Sequence, residues 1–96
     1  MIRSFGDAAT EALFNGDATR ASRSLPPKIG STAVRKLDML NAASELKDLR
    51  VPPGNRLEAL KGDLRGMHSI RVNAQWRVLF RWDAGDAHEV KIVDYH

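Results

Sequence analysis

The sequence predicts an α+β fold, with two N-terminal helices packed on one face of a small, mainly antiparallel sheet of four or five strands. Three observations carry this reading. Apolar residues recur at helical spacing in the first half of the chain, they alternate with polar residues from Met67 onward, and short turn segments separate the alternating runs. Residues 1–96 read as one domain, since domains typically run to about 100–150 residues and nothing divides this chain.

In chain order, Ile2 to Phe5 is short and partly apolar, of a kind to add an edge strand. From Asp7 the pattern turns helical: Asp7 suits an N-cap, Ala9 and Leu13 stand at helical spacing, and Gly16 is placed as the stop. Residues 15–26 read as loop. Ser24-Leu25-Pro26-Pro27 opens a longer helix with Pro27 in its first turn, and Ile29, Ala33, Leu37 and Leu40 form the stripe that packs on the sheet. Arg35, Lys36 and Asp38 read as a solvated face off that stripe. Gly30 near the start weakens the helix slightly. Asn41 to Lys47 completes the helix and adds a short turn. Arg50 to Asn55 is loop, because two prolines and a glycine deny ladder hydrogen bonds. Arg56 to Lys61 re-enters the sheet as a strand, and Gly62 to Gly66 turns the chain into Met67.

The centre of the sheet is Gln75-Trp76-Arg77-Val78-Leu79-Phe80-Arg81-Trp82, whose even positions are apolar and whose odd positions, Leu79 apart, are polar. His68, Ile70 and Val72 alternate in the same way before it, as do His88, Val90 and Ile92 after it. A slip of one residue would turn every apolar side chain outward, so the register follows. Ile70 pairs with Val78 and His68 with Phe80 around a turn at Asn73-Ala74-Gln75. Phe80 then pairs with Val90 and Val78 with Ile92 around Ala84-Gly85-Asp86, with Gly85 in the left-handed position. On the polar face Arg81 faces Glu89, an ordinary opposite-charge pair, and Arg71 faces Arg77. The second pair destabilises an isolated sheet unless each arginine finds a carboxylate or the two share an anion; two solvated arginines splayed apart are the alternative.

The composition is that of a globular protein, with 43% apolar and 28% charged residues, and no apolar run approaches the roughly 20 residues needed to span a bilayer. The N-terminus lacks the pattern of a signal peptide, and the absence of cysteine excludes disulfides and thiolate metal sites. A cytoplasmic location without membrane contact is the expectation. The net charge of +3 suits a polyanionic partner but is modest beside dedicated nucleic-acid binders. Residues 1–55 carry eight Lys/Arg against six Asp/Glu and residues 56–96 seven against six, so any basic patch must be assembled by folding.

No Gly-rich phosphate loop, Ser-His-Asp signature or Cys/His metal spacing occurs. His68 and His88 fall on the apolar side of their strands and read as hydrogen-bonded histidines at the core edge. The last residues, Val93-Asp94-Tyr95-His96, gather a carboxylate, a phenol and an imidazole that can exchange protons near neutral pH. Taken alone, they also fit a frayed terminus. The register aims Tyr95 diagonally toward Arg77, and a phosphate held by Arg71 and Arg77 beside Tyr95 and His96 has the parts for phosphodiester cleavage.

The segments Arg56-Leu57-Glu58-Ala59-Leu60-Lys61-Gly62-Asp63, Trp76 to Trp82, Gly85-Asp86 and Val93-Asp94-Tyr95-His96 together resemble the HigB-type toxins of bacterial toxin-antitoxin pairs, within the RelE superfamily. The opening Met1 to Phe5 and the Val51 to Asn55 loop are similar to the branch that includes the GraT toxin. No one motif is decisive; their order and spacing are. The resemblance implies a compact RelE-like fold and an endoribonuclease, independent of metal and of any cofactor, that cuts mRNA in the A site of the 70S ribosome. It further implies a cognate HigA-type helix-turn-helix antitoxin that neutralises the toxin and represses their operon. By position, Arg77 matches the arginine that holds the scissile phosphate, Asp94, Tyr95 and His96 match the catalytic C-terminus, and Lys61 matches a basic residue of the cleft. Arg71 and Asn73 complete the expected RNA-binding set. Glu58 departs from the pattern, standing where some members place a catalytic histidine; it serves either as a base or as a salt-bridge partner for a nearby arginine, and a weaker nuclease would follow.

The mechanism implied is attack of the ribose 2′-hydroxyl on the adjacent phosphate, leaving a 2′,3′-cyclic phosphate. Two rivals stand beside it: an RNA- or ribosome-binding inhibitor of translation or ribosome assembly that does not cut, and a protein-interaction domain whose arginine face binds an acidic peptide.

Overall fold

The computed structural model describes residues 1–17 and 22–94; positions 18–21, Tyr95 and His96 lie outside the described residues. Helix α1 spans Ala8–Asn15, and the extended Asp7 caps it by accepting the Thr10 N–H at 2.8 Å. Gly16 ends it at φ 76°, a left-handed conformation that glycine adopts without steric cost. Helix α2 spans Gly30–Ala42 and follows a 3-10 turn over Pro27–Ile29. Its buried stripe is Ile29, Ala33, Leu37 and Leu40, as the spacing requires.

Lys36 is not on a solvated face: it is 8% exposed. It stands seven residues after Ile29 and three after Ala33, which returns it to the buried side of the helix. Its ammonium is satisfied by the Oδ1 of Asn55, itself fully buried. The Asn55 amide in turn donates to the Leu49 carbonyl at 3.1 Å and the Val51 carbonyl at 3.4 Å. Burial, with a smaller contribution from Arg35, holds the Lys36 pKa below its ordinary value.

Four strands, β1 (Glu58–Ala59), β2 (Met67–Arg71), β3 (Trp76–Asp83) and β4 (Asp86–Asp94), form an antiparallel sheet in the order β1-β2-β3-β4. β1 is shorter than the expected Arg56 to Lys61. A 3-10 turn at Pro53–Asn55 leaves Arg56 left-handed at φ 45°, and the next 3-10 turn begins at Gly62, so only the middle of the segment is extended enough to pair. Ile2 and Phe5 form isolated parallel bridges to Ala87 and Val90, rather than a full strand. With Thr10 Oγ1 accepting the Ile92 N–H at 2.9 Å, this segment covers the outer edge of β4, which would otherwise present unpaired amides. Gly6 permits the approach, since a Cβ there would lie 3.0 Å from the Glu89 carbonyl oxygen.

The first hairpin has the expected register, with His68 opposite Phe80, Ile70 opposite Val78 and Arg71 opposite Arg77. The second differs. Asp83 pairs with Asp86, so the turn is the two residues Ala84 and Gly85, both at positive φ, the geometry that matches hairpin twist. The ladder then slips between Leu79 and Arg81, and the extra residue is Glu89, at φ 53°. This bulge turns His88 to stand directly opposite Arg81, on the face away from the helices, instead of on the apolar side. Glu89 is held there by Arg81 Nε at 2.7 Å and by its own N–H donating to Ser4 Oγ at 2.8 Å. The core between helices and sheet joins the α2 stripe to Ile70, Val72, Val78, Phe80, Val90 and Ile92.

Candidate phosphate-binding site on the open face of the sheet

The pleat sends Ser69, Arg71, Arg77, Leu79, Arg81 and Lys91 to the face that the helices leave uncovered. A small apolar cluster of Leu60, Met67 and Leu79 lies in its middle, separating two polar ends. At one end Arg81 pairs with Glu89, whose carboxyl is held below its ordinary range chiefly by that hydrogen bond. A hollow of about 540 Å³ lies at this end, lined among others by Arg81, His88 and Glu89, and Arg77 is not part of it.

Arg77 is at the other end. Its side chain is only 11% exposed, and its guanidinium is gripped from three directions. Nη1 donates to Ser69 Oγ at 2.9 Å and to the Arg56 carbonyl at 3.3 Å, while Nη2 meets Glu58 Oε1 at 3.3 Å. The left-handed Arg56 aims its carbonyl at this point, and the β1 register, Glu58 opposite Ser69, delivers the carboxylate. The conflict between Arg71 and Arg77 is therefore relieved by Glu58 on one side. Arg71, directly opposite, makes no ion pair among the described residues and is half-buried.

The other expected site residues are placed less closely. Asn73 spends its Oδ1 on the hairpin turn, accepting the N–H groups of Gln75 and Trp76, each at 2.8 Å. Asp94 stands opposite Trp76, not Arg77, and accepts from Gln75 Nε2 at 2.9 Å. Lys61 is exposed at the turn after β1. Tyr95 and His96 lie outside the described residues. Two contributors had no part in the sequence reading, Ser69 and the Arg56 carbonyl. Ser69 was accessible to it, because the register sets it opposite Leu79 and so diagonal to Arg77; the Arg56 carbonyl depends on a left-handed turn that no residue type announces. His68 is also unlike its expectation: its Nδ1 is buried with no hydrogen-bond partner among the described residues, and its ring stacks on Phe80 at 5.9 Å.

Chemically, Arg77 is a preorganised anion site whose anion is a carboxylate. Its fork is fixed by a buried hydroxyl and a carbonyl, and the Glu58 oxygen stands in for whatever oxygen a substrate would present. Glu58 is 47% exposed, so its carboxylate reaches the guanidinium from the solvent side.

A family model described as the RelE-like toxin of type II toxin-antitoxin system HigB matches residues 3–96. The chain is 44% identical over 87 residues to Toxin HigB-1 of Vibrio cholerae serotype O1, covering 91% of this chain and 90% of the relative. It is 32% identical over 96 residues, the whole of both chains, to Endoribonuclease HigB of Proteus vulgaris. Among solved structures, the YoeB-YefM complex from Staphylococcus aureus matches at a TM-score of 0.55 and 18% identity, covering 100% of this chain and 98% of that one. The YoeB/ParE toxin from Agrobacterium tumefaciens matches at a TM-score of 0.53 and 15% identity, covering 99% and 100%; at such identities the likeness is one of fold.

Proposed function

The chain belongs to the HigB family of RelE-like toxins of type II toxin-antitoxin systems, and from that premise we propose that it is an endoribonuclease that stops translation by cutting mRNA on the 70S ribosome in the cytoplasm. As such a toxin it partners with an antitoxin; we take that antitoxin to be a HigA-type helix-turn-helix protein. The observation that carries the reading is the Arg77 site, a guanidinium fixed by Ser69 Oγ and the Arg56 carbonyl and paired with the partly exposed carboxylate of Glu58.

In this mechanism the ribose 2′-hydroxyl attacks the adjacent phosphorus, the 5′-oxygen leaves with a proton, and the products are a 2′,3′-cyclic phosphate and a 5′-hydroxyl. Arg77, with Arg71 directly opposite it and Lys61 as a further cation of the cleft, stabilises the charge that gathers on the phosphorane oxygens, the role in which fixed donors contribute most. Asp94, Tyr95 and His96 share the proton transfers, and Glu58 is a partner of Arg77 instead of the base.

The test is cleavage on translating ribosomes by Arg77→Ala and Arg77→Lys proteins, with product ends mapped. Removing one such donor typically costs about 10²- to 10³-fold in rate, and lysine, which keeps the charge without the fork, should recover only part of it. Arg77→Ala also leaves the buried Ser69 hydroxyl without its donor, a penalty of about 1–3 kcal/mol, so the Arg77→Ala/Ser69→Ala protein serves as the folded control. A folded Arg77→Ala protein that still cuts at full rate removes the phosphate-holding role. Growth arrest without cut ends points to the non-cleaving rival.

A further inference from the structure

Behind β1 lies a hollow of about 310 Å³ that the proposed mechanism does not use, lined by Leu46, Lys47, Arg50, Leu57, Ala59 and His68. Its volume is at the lower end of the range for small-ligand sites, room for one nucleotide-sized group. Three features give it a chemistry. Its walls are apolar, from Leu46, Leu57 and Ala59. Its rim carries two cations, of which Lys47 shares Glu45 at 3.3 Å and Arg50 makes no ion pair among the described residues. Its aromatic member is His68, backed by Phe80.

Burial lowers the His68 pKa, so the ring is neutral at pH 7. Its Nδ1 is enclosed without a partner among the described residues. A buried unpaired N–H is rarer than a buried unpaired lone pair, so the single ring proton belongs on Nε2, which is left as an open donor. An imidazole face, one outward donor, apolar walls and two cations suit a base with a phosphate attached.

We propose that this hollow is a subsite for one nucleotide of the RNA substrate, its base against the His68 ring and Leu57 and its phosphate between Lys47 and Arg50. The assignment rests on the ribonuclease reading. It favours RNA over an antitoxin peptide because of where β1 lies: Glu58, which holds Arg77, and Ala59, which lines the hollow, are consecutive residues on opposite faces of a two-residue edge strand. A strand of RNA passing over that short edge meets the Arg77 site on one side and this hollow on the other.

The test follows the His68 imidazole nitrogens by NMR in the full-length protein, titrated in parallel with adenosine 5′-monophosphate, adenosine and inorganic phosphate. The resonances are assigned by their loss in His68→Gln. The expected result is a saturable shift with the nucleotide, a much weaker one with adenosine or phosphate, and weakening by up to about fivefold in Lys47→Ala and in Arg50→Ala, the range of an exposed charge contact. No shift at His68, an equal shift with phosphate alone, indifference to both variants, or a shift given by the antitoxin but not by the nucleotide overturns the proposal. The same titration and the cleavage assay on Arg77→Ala keep the two readings apart: loss of cleavage without any His68 response to the nucleotide overturns the subsite alone, whereas full cleavage by Arg77→Ala with the His68 response intact overturns the Arg77 reading alone.

Discussion

Glu58 decides whether the Arg77 site is poised or occupied. If it were the general base, its loss would cost about 10²- to 10⁴-fold in rate. Its contact with Arg77 Nη2 at 3.3 Å and its own 47% exposure describe a removable partner of a largely buried guanidinium. Glu58→Gln should therefore leave ribosomal cleavage within about fivefold of the parent, and RNA binding equal or tighter because the phosphate no longer competes with a carboxylate. A drop of a hundredfold in a folded Glu58→Gln protein would reinstate the base. The terminus carries the complementary prediction: deleting Tyr95 and His96 should leave a protein that folds and binds its antitoxin but no longer arrests growth, and single Tyr95→Phe and His96→Gln changes should give graded defects. Retained arrest in the truncated protein would move the proton transfers elsewhere. At this scale the sequence was informative where register follows from alternation, as with Arg71 opposite Arg77, and silent where type is neutral: the register sets Ser69 diagonal to Arg77, but a serine's type does not announce that its hydroxyl fixes a guanidinium.

Among the elements, the loop that delivers Arg56 and Glu58 is fixed from behind by Asn55. That side chain is fully buried, accepts from Lys36 of α2, and donates to the Leu49 and Val51 carbonyls, so one residue ties the helix to the segment that frames the site. Asn55→Ala strips the partner from a buried ammonium and from two carbonyls. A buried donor left unsatisfied costs about 1–3 kcal/mol and a charged one more, so urea unfolding should show a loss of at least about 2 kcal/mol. Adding Lys36→Met should restore part of it, because the unpaired charge is then gone. Additive losses in the double variant would mean that the two side chains do not depend on each other. The helical stripe, read from four apolar positions, passed over Lys36 because its type suggested solvent, although its spacing from Ile29 and Ala33 placed it inside. The first hairpin was legible because alternation is unbroken from His68 to Trp82. The second was legible from Val90 to Ile92, away from its turn: a bulge inserts one residue, and period-two reasoning on its turn side assigns the wrong face, which is what befell His88.

For the whole molecule, charge sets how RNA must arrive. The chain has 15 Lys/Arg against 12 Asp/Glu, and on the open face Arg77 and Arg81 are each met by a glutamate. Counterion release from single-stranded RNA gives a salt slope of about −0.7 per phosphate neutralised. With about two phosphates engaged, one at Arg77 and one between Lys47 and Arg50, a slope of about −1.4 follows, and naked-RNA affinity should fall by roughly sevenfold between 50 and 200 mM salt. So weak a field does not gather substrate, and under the proposed reading the ribosome would supply what the protein lacks by holding an extended mRNA strand at high local concentration. Purified protein should accordingly cut mRNA on translating ribosomes and cut the same RNA poorly when it is naked, at equal concentrations and at physiological salt. Salt-dependent binding to a short labelled RNA, measured beside the two cleavage assays, checks both parts. A slope as steep as −6, or efficient cutting of naked RNA, would mean that the protein captures its substrate unaided, and the ribosome would no longer be needed to explain its action.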